Sequence, residues 1–454
     1  MNLKIKFTAF IYGVIIIVFI FSLTGCGGSS SSNSTTSEHI VLGDEQFDSY
    51  IPLLAGKRVA LYSNHTGIVG DKIFHADGSQ ADITNGNPDI DASLIPFGKD
   101  SEGNDIIYGE HVLDALIERN VNVTAIFCPE HGFRGTEDAG TIDDSVDEKT
   151  GVPILSLYVN YTYSVSSEDM EKFDTLVVDM QDVGLRYYTY YITMYYLMDS
   201  CAAAGKEVII LDRPNPNGFY VDGGILQEAY RSNVGHIPIP TVHGMTWGEL
   251  AQMINGEGWL ESGKNACHLT VIPCLNYTHD KKSCLIRRPS PNIKDMRAVY
   301  LYASTCFFEN TLVSVGRGTE FPFEVYGSPY LENAEGFDFT FTPQSISGAQ
   351  NPPFENETCY GEDLRPIPIE NILREGINVE YLVKAYRAVT SQSPEESFWG
   401  NPDTQGRYWN DRLSGSDELR TMITNGSTAQ EIKAAWEDDI ESFKKQREPY
   451  MIYE

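Results

Sequence analysis

The stretch from Asp174 to Asn217 constrains the fold more than any other part of the chain. Leu176-Val177-Val178 is an apolar, β-branched run with the length of a strand buried on both faces, and it stops at Asp179, Gln181 and Asp182. A helical pattern from about Tyr188 to Ala204 follows and Gly205 ends it. Glu207 to Leu211 is a second apolar strand, halted by Asp212-Arg213-Pro214-Asn215-Pro216-Asn217. This is a strand, helix, strand unit with charged groups at both strand exits. Ligands of open α/β sheets bind outside the carboxyl ends of the strands, so these exits are the expected edge of a site.

Upstream the pattern recurs. Lys57 to Ser63 exits into Asn64-His65-Thr66-Gly67, Val121 to Cys128 exits into Pro129-Glu130-His131-Gly132-Phe133-Arg134-Gly135, and Pro153 to Val159 is a shorter run. The recurrence predicts an α/β chain built on a Rossmann-like parallel sheet with a polar rim at one edge. No Gly-x-Gly-x-x-Gly follows any of these strands, which disfavours a nicotinamide enzyme, and no cofactor is expected. Residues 68–110 lack periodicity and read as a long irregular insertion. Thr246 to Leu260 opens with a capping-box pattern, Thr246 and Glu249, and reads as a helix. From Arg287 the composition changes. Pro289, Pro291 and Asn292 break the chain, Phe337 to Phe341 alternates, and Val379 to Val389 and Thr428 to about Lys445 are helical. The boundaries follow: 48–285 for the Rossmann-like catalytic domain and 286–454 for the smaller one.

Lys4 and Lys6 precede an apolar run from Phe7 to Leu23 that ends Leu23-Thr24-Gly25-Cys26. Residues 1–25 read as a secretory signal. The ending resembles the bacterial lipobox, which implies cleavage before Cys26, lipid on its sulfur, and a place in the bacterial cell envelope outside the cytoplasmic membrane. Residues 26–47 hold the lipidated Cys and a Gly/Ser-rich tether. Formal charge is −31, and removal of residues 1–25 takes away Lys4 and Lys6 to leave −33. So acidic a chain with no basic stripe excludes nucleic acid as a partner and favours neutral ligands, or anions met by local arginines. With Cys26 lipidated, seven of eight cysteines remain. Cys267, Cys274 and Cys284 are close enough in sequence for one disulfide, and the absence of a Cys-x-x-Cys pair argues against zinc. The rest read as small buried apolar residues.

Glu130 follows an apolar strand in a Gly-flanked turn, where partial burial can raise a carboxyl and fit it for general-acid work; a capping role is the structural alternative. Asp179 and Asp182 bring carboxylates to the neighbouring exit, and two carboxylates are the minimum for glycoside hydrolysis. The alternative for Asp182 is an ion pair with Arg186, four residues on. Arg186, Arg213 and Arg317 stand in Gly- and Pro-bounded turns, and the planar arginine fork suits a carboxylate or phosphate ligand. His65, His131 and His243 lack metal-binding spacing, so no metal is expected. Tyr188 and Tyr190, at the helix start, are placed to line a sugar site, while the other tyrosines of that run read as packing residues whose hydroxyls find partners.

Taken in order, Asn64-His65-Thr66-Gly67, Pro129-Glu130-His131-Gly132, Asp179-Met180-Gln181-Asp182-Val183-Gly184 with Arg186, Asp212-Arg213-Pro214-Asn215-Pro216, His243-Gly244-Met245-Thr246, Ser290-Pro291-Asn292 and Gly316-Arg317-Gly318-Thr319 resemble the NamZ-type exo-β-N-acetylmuramidases, a family formerly known only as a domain of unknown function. The resemblance covers nearly all of the chain after the tether, and it implies a Rossmann-like domain followed by a smaller α+β domain, with the active-site cleft between them. It implies an exo-glycosidase that releases N-acetylmuramic acid from the non-reducing ends of peptidoglycan fragments, with the family's proposed catalytic glutamate on Glu130. Matching motifs assign Asp182 to catalysis and Asn64, His65, His131, Arg186, Tyr188, Arg213, Asn215, His243 and Arg317 to binding, with one or more arginines on the lactyl carboxylate. Phe308-Glu309-Asn310-Thr311-Leu312 stands where the family pattern has Phe-Glu-Gly-Thr-Asn, and Gly223-Gly224 where Gly-Pro is common. Two alternatives stay open: a non-catalytic envelope lipoprotein that binds peptidoglycan, and a glycosidase for another acidic or N-acetylated glycan.

Overall fold

Each apolar run divides its side chains between two cores, because alternate residues of a strand face opposite sides of a sheet. A computed structural model describes residues 39–85, 91–129, 133, 144–157, 165–262 and 266–454. Its main sheet holds β1 (Arg58–Ser63), β2 (Asn122–Cys128), β3 (Ser145–Val146), β4 (Pro153–Ser156), β5 (Thr175–Asp179), β6 (Glu207–Leu211) and β7 (His268–Ile272). The spatial order is β7-β6-β5-β1-β2-β4-β3, and every neighbouring pair is parallel except β3 with β4.

On one face Val59 and Leu61 of β1, Val177 of β5 and Ile209 of β6 pack with Tyr50 and Leu54 of helix Phe47–Leu54 and with Val112 and Leu116 of helix Val112–Glu118. On the other, Ala60, Tyr62, Leu176, Val178, Val208 and Ile210 meet helices Tyr190–Ala204 and Trp247–Gly256. That second core continues without a break into the C-terminal elements, where it takes in Phe307, Phe308, Tyr326, Leu382 and Trp436. Helix Tyr190–Ala204 therefore lies between two layers. This is why apolar residues ring it, and its tyrosines satisfy their hydroxyls inside: Tyr195 donates to the Trp259 carbonyl at 2.8 Å, and Tyr191 accepts from the His236 N–H at 3.1 Å.

The C-terminal part carries a three-stranded antiparallel sheet, Val325–Ser328, Cys359–Asp363 and Phe339–Phe341, with helices Glu380–Gln392 and Ala429–Arg447 among others. The alternating run and both closing helices lie where the sequence puts them. Three expectations need correction. Residues 68–110 are not structureless: Ile73–Phe74, Gln80–Ala81 and Ile107–Tyr108 pair as a small antiparallel sheet over Ile73, Ala81 and Ile106, in strands too short to show a period. Cys267, Cys274 and Cys284 are free thiols, so the disulfide considered among them does not form. The helix expected from Tyr188 starts at Tyr190, because Gly184 takes a left-handed φ of 74°, Leu185 bridges Val242, and the chain then passes through turns over residues 186–189 before the helix begins.

Candidate active site

The chain passes from β1 to β2 and β4 on one side, then returns to β5 on the other. The topology therefore reverses between β1 and β5, and the crevice at their carboxyl ends is the expected ligand position. Ser63 and Asp179 are register partners at that edge. Just beyond it, Asn64 Oδ1 accepts from the Thr66 N–H (2.9 Å) and Thr66 Oγ1 (2.7 Å), and Thr66 Oγ1 accepts from the Gln181 N–H (3.1 Å), which ties the two exits together. Three buried polar atoms at this junction have no hydrogen-bond partner among the described residues: Asn64 Nδ2, Gln181 Oε1 and Asp182 Oδ1. Unsatisfied buried groups are costly in a folded protein, so these three are available to a ligand or a water molecule at the switch point.

Asp182 is 8% exposed. Burial pushes its carboxyl up to about 6, against opposition from the Gly184 and Val183 N–H groups and the Trp247 indole. The Gly184 N–H donates to Oδ2 at 2.9 Å. Asp182 lines a small pocket with Met180, Arg213, Asn215, Met245 and Trp247, with room for about one water molecule. A carboxyl poised near neutrality changes form easily, so it can accept a proton or stabilise developing positive charge.

The expected Asp182–Arg186 ion pair is absent, because residues 182–186 are not helical and the i,i+4 spacing does not bring them together. Arg186 is fully buried and donates to the carbonyls of Gly224 (2.7 Å), Ile239 (2.6 Å) and Leu413 (2.9 Å), joining the sheet domain to a C-terminal helix. Arg213 is buried as well, against three carboxylates: Asp179 at 2.7 Å, Asp71 at 2.8 Å and Asp44 at 2.6 Å. Both guanidinium groups thus hold the fold together, which departs from their expected part in anion binding. Arg317 keeps a third of its side chain exposed and pairs with Glu309 at 2.5 Å.

Asn215 donates to the Met245 carbonyl at 2.9 Å and packs directly on Gly184, where an added Cβ would come within 2.0 Å of Asn215 Oδ1. Gly184→Ala therefore meets a steric clash and an unfavourable φ together, and an expected loss of about 2 kcal/mol, read from the urea midpoint, checks it. His243 is buried, its pKa is pushed down to about 3 chiefly by burial and then by Arg447, and its Nδ1 accepts from the Met245 N–H at 3.2 Å. It is a neutral turn-former.

His65 and Tyr188 share a task with Tyr190. His65 Nε2 lies 2.8 Å from the Arg288 carbonyl, and the Tyr188 and Tyr190 hydroxyls donate to the Pro289 carbonyl at 2.8 and 3.2 Å. They strap a segment from more than 200 residues beyond His65 across the crevice edge. Arg288 and Trp247 are the residues of this region that sequence reading did not single out. The Ser290-Pro291-Asn292 motif was the available signal for the strap.

Glu130, His131 and Arg134 lie outside the described residues, as does Cys26 with the whole N-terminal tether. Pro129 and Phe133, which flank 130–132, are buried, and the Phe133 ring meets His111 edge-on at 5.1 Å. Asn310 sits at a φ of 59°, a left-handed conformation open to glycine and tolerated by asparagine, so the departure from Gly at this position preserves the backbone path.

Two family models match the chain: the N-terminal part of the exo-β-N-acetylmuramidase NamZ over residues 106–297, and its C-terminal part over 300–453. The peptidoglycan β-N-acetylmuramidase NamZ of Bacillus subtilis strain 168 is 33% identical over 359 residues, which span 75% of this chain and 82% of the relative. A crystal structure of a DUF1343 family protein from Bacteroides fragilis NCTC 9343 superposes with a TM-score of 0.74 at 46% identity, covering 91% of this chain and 99% of that one. A second DUF1343 structure from the same organism gives 0.70 at 26% identity, covering 92% and 99%. With both of its halves matched in order and the parallel-sheet fold shared, the chain belongs to the exo-β-N-acetylmuramidase NamZ family of glycoside hydrolases.

Proposed function

We propose that this chain is an exo-acting glycosidase that releases N-acetylmuramic acid from the non-reducing ends of peptidoglycan fragments, with Glu130 as general acid. The match of both halves to one exo-β-N-acetylmuramidase family carries the reading. The buried carboxyl of Asp182 at the switch point, raised to about 6 by burial, supports it. Glu130 protonates the glycosidic oxygen as its bond to the anomeric carbon breaks. The carbonyl oxygen of the substrate's own 2-acetamido group attacks that carbon, and ionised Asp182 stabilises the positive charge that forms on the acetamido nitrogen. Water then opens the cyclic intermediate. This substrate-assisted route replaces the second carboxylate of the two-carboxylate scheme. Lipid on Cys26 tethers the enzyme in the cell envelope, outside the cytoplasmic membrane, a reading supported by Leu23-Thr24-Gly25-Cys26.

A disaccharide with N-acetylmuramic acid at its non-reducing end tests the activity. Free N-acetylmuramic acid should appear, and the isomer capped by N-acetylglucosamine should resist. Binding without sugar release would make the chain a peptidoglycan-binding lipoprotein. Leu312, at the end of the altered Phe-Glu motif, favours a second reading, a glycosidase for a different N-acetylated or acidic glycan, and a panel of such glycosides separates the two.

Asp182→Asn has two expected effects of opposite sign. Without an ionisable group beside the acetamido nitrogen, kcat falls by about 100-fold, within the range for such groups. Stability moves the other way. Burial raises the carboxyl from 3.8 to about 6, so the folded chain binds the proton more tightly than the unfolded one, and stability declines as pH rises through that window. At roughly 1.4 kcal/mol per unit, ionised Asp182 costs about 3 kcal/mol at neutral pH. Asparagine keeps an oxygen for the Gly184 N–H without the charge. The variant should be more stable by about 1–3 kcal/mol at pH 7 and no more stable at pH 3.5. Urea midpoints at the two pH values decide it, and a difference that ignores pH would sink the assignment.

A further inference from the structure

The substrate read above bears a carboxylate on its lactyl ether, yet two of the three arginines expected to meet it are committed elsewhere: Arg186 to three backbone carbonyls and Arg213 to three carboxylates. Arg317 is paired with Glu309. The strap across the crevice edge carries a different arginine. The segment is fixed by its main chain, with the Ile286 carbonyl accepting from Tyr108, the Arg288 carbonyl facing His65 Nε2 and the Pro289 carbonyl receiving Tyr188 and Tyr190. Arg287 stacks its guanidinium 4.4 Å above the Tyr108 ring. Arg288 is exposed, and among the described residues its guanidinium has no carboxylate or hydrogen-bond partner. Both charges bear on the hydroxyl of Tyr108, in the last short strand of the insertion that follows β1.

We propose that Arg288, presented by the strap that His65, Tyr188 and Tyr190 clamp, is the cation that holds the lactyl carboxylate of the terminal muramic acid. The inference rests on the muramidase reading above. Three features support it. The backbone of the segment is tied at the carbonyls of Ile286, Arg288 and Pro289, so only the arginine side chain is left to order on binding. Its planar fork matches a carboxylate in two-point contact. In a chain with a formal charge of −31, an unpaired arginine beside the switch point is a local exception that would draw an anion to that spot. It also gives the polar contacts of His65 and Tyr188 a function: they are positioning residues that act through the strap.

The test compares binding of N-acetylmuramic acid with that of N-acetylglucosamine, which lacks the lactyl group, by calorimetry on the full chain and its variants. Arg288→Ala is expected to weaken N-acetylmuramic acid by about 10- to 100-fold while leaving N-acetylglucosamine within about twofold, as the loss of one charge-assisted contact implies. KM for a muramyl disaccharide should rise by a similar factor, with kcat little changed, because the contact is equal in ground and transition states. Arg288→Lys should recover part of the loss. Tyr188→Phe, which releases one clamp, should shift the same preference in the same direction by a smaller factor. Equal binding of N-acetylmuramic acid by wild type and Arg288→Ala, or a parallel loss for both sugars, would overturn the proposal. The two readings fail separately: a wild type that cleaves muramides with Arg288→Ala unaffected removes only Arg288, whereas a wild type that cleaves no muramide removes the function on which it rests.

Discussion

Glu130→Gln is expected to lower kcat for release of N-acetylmuramic acid from a disaccharide by about 10³-fold, within the span for general acids, with KM little changed. The amide is nearly isosteric with the acid and can still take part in hydrogen bonds, so the loss isolates the proton. Pro129 closes β2, which pairs in parallel with β1, and β1 is one wall of the switch point, so the motif that carries Glu130 begins one strand away from the exit that carries Asn64 and two from the exit that carries Asp182. The dependence on leaving group sharpens the test. A sugar alkoxide needs protonation to depart, whereas a nitrophenolate does not, so a nitrophenyl muramide should suffer far less from Glu130→Gln than the disaccharide. Equal losses on both substrates would point to a role in folding or positioning, and unchanged turnover on the disaccharide would remove Glu130 from the mechanism.

Arg213→Ala is expected to cost about 3–5 kcal/mol at neutral pH, the range for breaking a buried charge network, measured from the denaturant midpoint. The carboxylates of Asp44, Asp71 and Asp179 come from three separate parts of the chain and meet on one guanidinium. Burial already raises Asp44 well above the usual carboxylate range and raises Asp71 too, with Asp179 adding to both effects and Arg213 opposing them. Removing the cation leaves two buried acids, Asp44 and Asp179, and the partly buried Asp71 facing one another, and proton uptake relieves them. The deficit relative to wild type should therefore shrink as pH falls toward 4, since protonation of the acids then replaces the missing charge. A penalty of the same size at both pH values would show that lost packing, rather than uncompensated charge, is the cause. The same clamp holds the 3-10 turn Gly43–Glu45 and the start of the insertion against the sheet, so the variant is also expected to loosen the crevice wall formed by β1.

The parts of the molecule that depend on short-range pattern could be read directly from residue order. Strands β1, β2, β5 and β6 lie within about one residue of their apolar runs, because a strand buried on both faces needs an uninterrupted apolar stretch and ends where polar groups must reach water or each other. The capping box at Thr246 forms as written, with Thr246 Oγ1 accepting from the Glu249 N–H and the Glu249 carboxylate accepting in return, since all of its atoms lie within four residues. The small sheet in the insertion escaped notice because two-residue strands carry no period, and the disulfide considered for Cys267, Cys274 and Cys284 depended on distances that spacing along the chain does not supply.

The order of strands and polar exits, and with it the family, is written in local sequence, for a buried parallel strand and the turn that ends it are consequences of side chains a few positions apart. Which charges remain free for a ligand is not. Arg186 meets carbonyls up to 227 residues away and Arg213 an aspartate 169 away, while Arg288 has no partner among the described residues on a strap fastened 223 residues from His65. Such partnerships arise when desolvation in the packed core forces each buried charge to find a counter-charge or a carbonyl wherever the fold brings one, and that matching depends on proximity in space, which residue order alone does not carry.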